Sequence, residues 1–162
     1  MEATLFYILA AVMIVATVFA ITEKHPVHAI VYLVTSFFAL AAIFYLLAAP
    51  LVAVFEVIIY AGAVMVLFMF VIMMLDLGDS QEAQRSSLLH WFPAMVLAGI
   101  ILASLLLLAS GRGAPSGSSV QLTVQEFSLS LFRKYGVAIE IISMQLLFAV
   151  VGALYLGRRR KE

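Results

Sequence analysis

The sequence predicts an all-α membrane protein built on five transmembrane helices. Of its 162 residues, 65% are hydrophobic and only 11% charged, and the mean hydropathy is +1.17, outside the range of a water-soluble domain. A hydrocarbon layer about 30 Å thick needs about 20 apolar residues in helix, and such runs occur five times along the chain. Residues 1–162 read as a single integral membrane domain.

The first helix runs from Ala3 to Thr22 without a charge. The second, with Pro26 in its first turn, covers about 28–49, and Pro50 then punctuates a tight hairpin. A third follows over 51–75, a fourth over 88–109 and a fifth over 137–157. Met1 and Glu2 supply no basic leader and the first apolar run is too long for a signal core, so no cleavable signal peptide is expected. His90 and Trp91 at the start of the fourth helix read as an interfacial anchor, and His25 and His28 flank Pro26 where the second begins.

Five crossings put the termini on opposite faces, so Lys and Arg decide the orientation. One side collects Lys24, Arg85 and the tail Arg158, Arg159, Arg160 and Lys161; the other holds Arg112, Arg133 and Lys134. The bias predicts an outside N-terminus and a cytoplasmic C-terminus. The tail dominates that count and equally serves to stop the last helix at the lipid headgroups.

The long connection opens as a flexible linker over 111–122. Thr123 and Glu126 then have capping-box spacing, and Val124, Phe127 and Leu131 recur at helical intervals before Gly136. These predict a short helix on the outer membrane face, with a disordered loop as the alternative. The loop from Asp76 to Ser87 is short, acidic and solvated.

Nine basic residues balance nine acidic ones, leaving no cationic surface for nucleic acid. With no cysteine and three scattered histidines, the chain has neither thiolate ligands nor a plausible metal cage. There is no Gly-rich phosphate loop and no Ser/His/Asp set, so no catalytic residue is assigned and any redox chemistry belongs to a partner. Eight methionines, among them Met65, Met69, Met73 and Met74, read as adaptable packing.

Glu56 and Glu140 interrupt otherwise apolar spans, where an ionised side chain facing lipid costs about 3 kcal/mol. At 1.5 Å per residue both fall within roughly 5–8 Å of the outer boundary. They are either protonatable stations along a hydrated passage or carboxylates that reach headgroup water or a neighbouring helix. Tyr60, four residues after Glu56, is expected on the same helical face. Ala61, Gly62 and Ala63 follow; they allow close helix approach, and Gly62 marks a place where the hydrogen-bond ladder can slip into a π-turn. Ser143 and Gln145 are expected to bond another helix.

The run Phe55-Glu56-Val57-Ile58-Ile59-Tyr60-Ala61-Gly62-Ala63-Val64-Met65-Val66-Leu67-Phe68-Met69-Phe70-Val71-Ile72-Met73-Met74-Leu75 resembles the third-helix signature of the J-type membrane subunit of respiratory complex I, the proton-pumping NADH:quinone oxidoreductase. His25 to Ala29 and Val137 to Met144 resemble further segments of that family, and the likeness extends through the helices. The resemblance implies a π-bulge in the third helix, with Tyr60, Gly62, Val64 and Met65 as its hinge. It implies that Glu56, Tyr60 and, less directly, Glu140 belong to a hydrophilic axis for proton movement. It also implies K-type, H-type, A-type and antiporter-like N-type subunits as partners within a bacterial plasma membrane. FMN, iron–sulfur clusters, quinone and NADH would be bound elsewhere in the complex. The equivalent subunit of a related ferredoxin-fed or other-donor enzyme and a non-catalytic assembly scaffold are the alternatives. An independent transporter is disfavoured, since the sequence shows no inverted repeat.

Overall fold

A computed structural model describes residues 2–74, 88–110 and 123–157, all but a few of them helical. The helices are α1 (Glu2–Thr22), α2 (Pro26–Leu46), α3 (Pro50–Phe55), a nine-residue π-helical segment (Glu56–Val64), α4 (Met65–Met74), α5 (Leu88–Ala109), α6 (Val124–Lys134) and α7 (Gly136–Gly157). Among the described residues five spans are long and apolar enough to cross a membrane, the third being α3, the π segment and α4 in continuous succession. The expected linker over 111–122, the loop over 76–87 and the basic tail lie outside the described residues, as do the side chains of His90 and Trp91. The chain forms two compact units, Met1–Gln121 and Leu122–Glu162.

In the first unit, small residues let α1 and α2 approach closely. Ala16 and Ala39 are wholly buried, and Val12 and Tyr32 pack with them. Ala94, Leu97 and Ile101 of α5 complete this core. Leu9, Ala42 and Ile43 form a second cluster along the same pair. Where polar groups enter the apolar contact they satisfy one another. The Thr17 and Ser36 hydroxyls meet at 2.9 Å, Thr17 donates to the Met13 carbonyl at 2.8 Å, and Ser36 lies 3.3 Å from the same oxygen. Buried Thr35 and Ser104 donate to the carbonyls of Val31 and Ile100 one turn back.

The hairpin between α2 and α3 is longer than the sequence reading has it, because α2 ends at Leu46 rather than near residue 49 and residues 47–49 form the turn. Ala48 adopts φ 58°, and the N–H groups of Ala48 and Ala49 donate to the carbonyls of Tyr45 (3.2 Å) and Phe44 (3.0 Å). That is a Schellman stop with alanine in the position glycine usually holds. Pro50 then opens α3 at a place where no N–H partner is needed. In α5, Pro93 removes the N–H that would bond the carbonyl four residues earlier.

The second unit holds α6 and α7. Glu126 accepts the backbone N–H of Thr123 at 3.2 Å, the carboxylate arm of the capping box expected there. Tyr135 joins the two helices: its N–H donates to the Leu131 carbonyl, and its own carbonyl accepts from Ile139.

Candidate functional site

The third span carries both the irregular backbone and the buried acid. Isoleucines, valine and small residues surround Gly62 over 56–64, and here the ladder runs to the fifth preceding residue; the Met65 N–H at the end reaches the carbonyls of both Tyr60 and Gly62. Gly62 sits close under the preceding turn, where an added Cβ would stand 3.2 Å from the Val57 carbonyl oxygen.

The wider turn changes which residues face inward. In an unbroken α-helix, inward positions recur every three or four residues, so Ala53 and Glu56 would be followed by Tyr60 and Val64. The buried positions are instead Ala53, Glu56, Ala61 and Met65. One step of five residues, from Glu56 to Ala61, has replaced a step of four. This departs from the expectation that Tyr60 shares the face of Glu56: the acid is 8% exposed and the phenol 48%. Tyr60 packs its ring against Phe37 of α2, with centroids 5.5 Å apart and planes inclined by 39°. Val64 is half-buried beside the inward Met65, so the proposed hinge pair straddles the junction between π and α geometry.

Glu56 differs from the buried Thr35, Ser36 and Ser104, whose hydroxyls are all hydrogen-bonded. None of the hydrogen bonds among the described residues engages its carboxylate, yet no fully enclosed side-chain oxygen lacks a partner. The carboxylate oxygens therefore keep a path to the surface of the chain, where a donor or water can reach them. Next to it, Val57 and Ile58 line one wall of an apolar groove of about 350 Å³, closed by Phe38 and Ala42 of α2 and Leu105 of α5.

Glu140 lies in the first turns of α7 and is exposed within its own unit; its backbone carbonyl accepts a 2.7 Å bond from Ser143. The side chain of Ser143 thus turns back on its own helix. His25 and His28 stand with ring centroids 5.8 Å apart at the start of α2, and Glu23 accepts the N–H groups of Lys24 and His25. Among the described residues no group of His, Asp or Glu is arranged to hold a metal ion. Sequence reasoning missed Phe37 altogether, and it named Ala61 and Met65 without their inward positions, which appear only when a five-residue step is admitted after Glu56.

A profile of the family described as NADH-ubiquinone/plastoquinone oxidoreductase chain 6 matches residues 16–156. The chain is 39% identical over 160 residues to NADH-quinone oxidoreductase subunit J of Pseudomonas aeruginosa, covering 95% of each. It is 36% identical over 159 residues to subunit J of Escherichia coli K12, covering 96% of this chain and 86% of that one. To subunit J of Rhodobacter capsulatus it is 33% identical over 169 residues, covering 96% and 81%.

Proposed function

The chain belongs to the family of NADH-ubiquinone/plastoquinone oxidoreductase chain 6, and from that premise we propose that its third span is a two-register gate coupling quinone reduction to proton translocation. As a membrane subunit of NADH-quinone oxidoreductase it works within a larger enzyme. The observation carrying the gate is the five-residue step between the buried Glu56 and the buried Ala61.

In the π register, Ala61 and Met65 face inward. Converting the segment to α geometry advances the residues beyond it by about one position, roughly 100° of rotation. Tyr60 and Val64 then take the inward places. The phenol leaves Phe37 and comes over Glu56, replacing the methyl of Ala61 with a hydroxyl that donates to water or to the acid. Tyr60, Gly62, Val64 and Met65 are the residues that turn, and Glu56 is the station whose hydration changes. Both registers keep the backbone hydrogen-bonded, so packing changes in neighbouring subunits are enough to tip the balance.

We place Glu140 on the same proton path, in keeping with a carboxylate near the end of a span. The K-type, H-type, A-type and antiporter-like N-type subunits are the proposed neighbours, in a bacterial plasma membrane with the N-terminus outside. We place FMN, NADH, quinone and the iron–sulfur clusters in other subunits, and for the clusters the lack of cysteine in this chain supports it.

The test is Gly62→Val in the assembled complex, reading NADH-driven acidification of membrane vesicles against NADH oxidation by a soluble acceptor. Pumping is expected to fall about tenfold or more while the acceptor activity and subunit content stay unchanged. Full pumping in a normally assembled variant would overturn the gate.

A further inference from the structure

We propose that α6 lies in the lipid–water interface and that Arg133 and Lys134 recognise the phosphate of anionic phospholipid headgroups. At 100° per residue, Val124, Phe127, Leu131, Phe132 and Tyr135 fall within an arc of about 140°; Glu126, Ser130 and Arg133 lie opposite, Gln125 and Lys134 flank the arc, and Leu129 is the one apolar residue outside it. Ser128 alone interrupts the apolar arc, and its hydroxyl is spent on the Gln125 carbonyl at 2.9 Å. Phe127 and Leu131 are half-buried within their unit, while Val124 (65%), Phe132 (69%) and Tyr135 (51%) remain exposed. An exposed apolar face on a helix this polar overall is what an interfacial helix buries among lipid headgroups and upper acyl chains.

Charge along the helix selects the lipid. The one acid, Glu126, is at the N-terminal end with its carboxylate engaged by Thr123. The two cations occupy the last turn, directly before Gly136, where the membrane-spanning α7 begins. The cationic end therefore stands at the headgroup level that the start of a span defines, with nothing acidic in α6 nearer than eight helical positions from Lys134. Lys134 also lies 5.6 Å from the centre of the Tyr135 ring, so cation and phenol share the boundary position that amphipathic side chains favour. Charge complementarity points to a negatively charged headgroup rather than a zwitterionic one.

The chain has no cysteine, so single cysteines at Ser130 and Phe132 of the full chain can carry an environment-sensitive fluorophore in phosphatidylcholine/phosphatidylglycerol vesicles of about 4:1 composition. The label at 132 is expected to emit to the blue of the label at 130, and doxyl lipids should quench it about twofold more. At equal mole fraction, doxyl-phosphatidylglycerol should quench it about twofold more than doxyl-phosphatidylcholine, a preference lost in R133Q/K134Q. A label at Val124, on the same arc, must agree, and circular dichroism checks that every variant keeps its helices. Equal, unquenched emission at 130 and 132 would overturn the proposal. So would blue emission that no doxyl lipid quenches, the mark of a face packed within the chain itself, or a phosphatidylglycerol preference that survives in R133Q/K134Q.

Discussion

The α1–α2 pair and the third span solve the same problem, polar groups in an apolar setting, in opposite ways. Between α1 and α2, Thr17 and Ser36 bond each other and a shared carbonyl, and alanines hold the helices in contact. The Thr17 and Ser36 hydroxyls are both bonded, and both helices are regular α-helices. The third span buries Glu56 without a hydrogen-bonding partner among the described residues, and its ladder departs from α geometry at that very residue. A region whose demands are all met has one stable arrangement. Under the proposed gate, a region with a buried carboxylate and a widened turn has two inward registers of comparable cost, and a neighbour can choose between them.

The sharpest way to break this contrast is to attack each region with bulk. Ala39 is wholly buried against α1, so Ala39→Leu overpacks the fixed pair by three carbons and costs about 3 kcal/mol. It should abolish incorporation of the subunit, read by the loss of the chain from the purified complex. Gly62→Val places its added carbons against the Val57 carbonyl but should leave assembly intact, with pumping reduced about tenfold or more. If the two phenotypes were exchanged, the division into fixed and switching regions would be wrong. Glu56→Gln removes the titrating group and keeps its size. Pumping is then expected to fall several-fold with normal NADH oxidation by a soluble acceptor, whereas a scaffold would lose nothing.

The division was only partly legible in the sequence. Apolar runs about 20 residues long locate all five spans, since the thickness of a bilayer leaves a helix little choice. Pro26 and Pro50 announce helix starts because their fixed φ and missing N–H suit a first turn. The place where the third helix loosens was readable from Gly62. The inward register was not, because helical periodicity assumes one constant turn, and a single five-residue step moves Ala61 and Met65 into places that periodicity assigns to Tyr60 and Val64. Phe37 escaped notice for another reason: a ring contact between spans depends on how the helices cross, and an apolar run carries no record of that.

Finer changes sharpen the comparison. Ser36→Ala removes the bond to Thr17 but leaves that hydroxyl its bond to the Met13 carbonyl. The expected cost is about 0.6 kcal/mol, the average for such pairs in membrane helices, visible as a slightly lower thermal midpoint with pumping unchanged. A larger loss of pumping would mean that the fixed pair takes part in switching.

The smallest effect is expected at the hairpin between the two regions, and it runs in the stabilising direction. Ala48 holds φ 58°, where its Cβ crowds the backbone, and the Schellman bonds of Ala48 and Ala49 keep it there. Ala48→Gly removes that crowding, worth about 1 kcal/mol, while the greater freedom of glycine in the unfolded chain returns part of the gain. The net is a midpoint raised by a degree or two in a thermal-shift assay of the complex. Because the turn is fixed by its own hydrogen bonds and lies outside the π segment, proton pumping should not change. A gain in stability accompanied by a loss of pumping would show that the strain at Ala48 helps hold the third span between its two registers, and the boundary of the switching region would then begin at the hairpin rather than at Glu56.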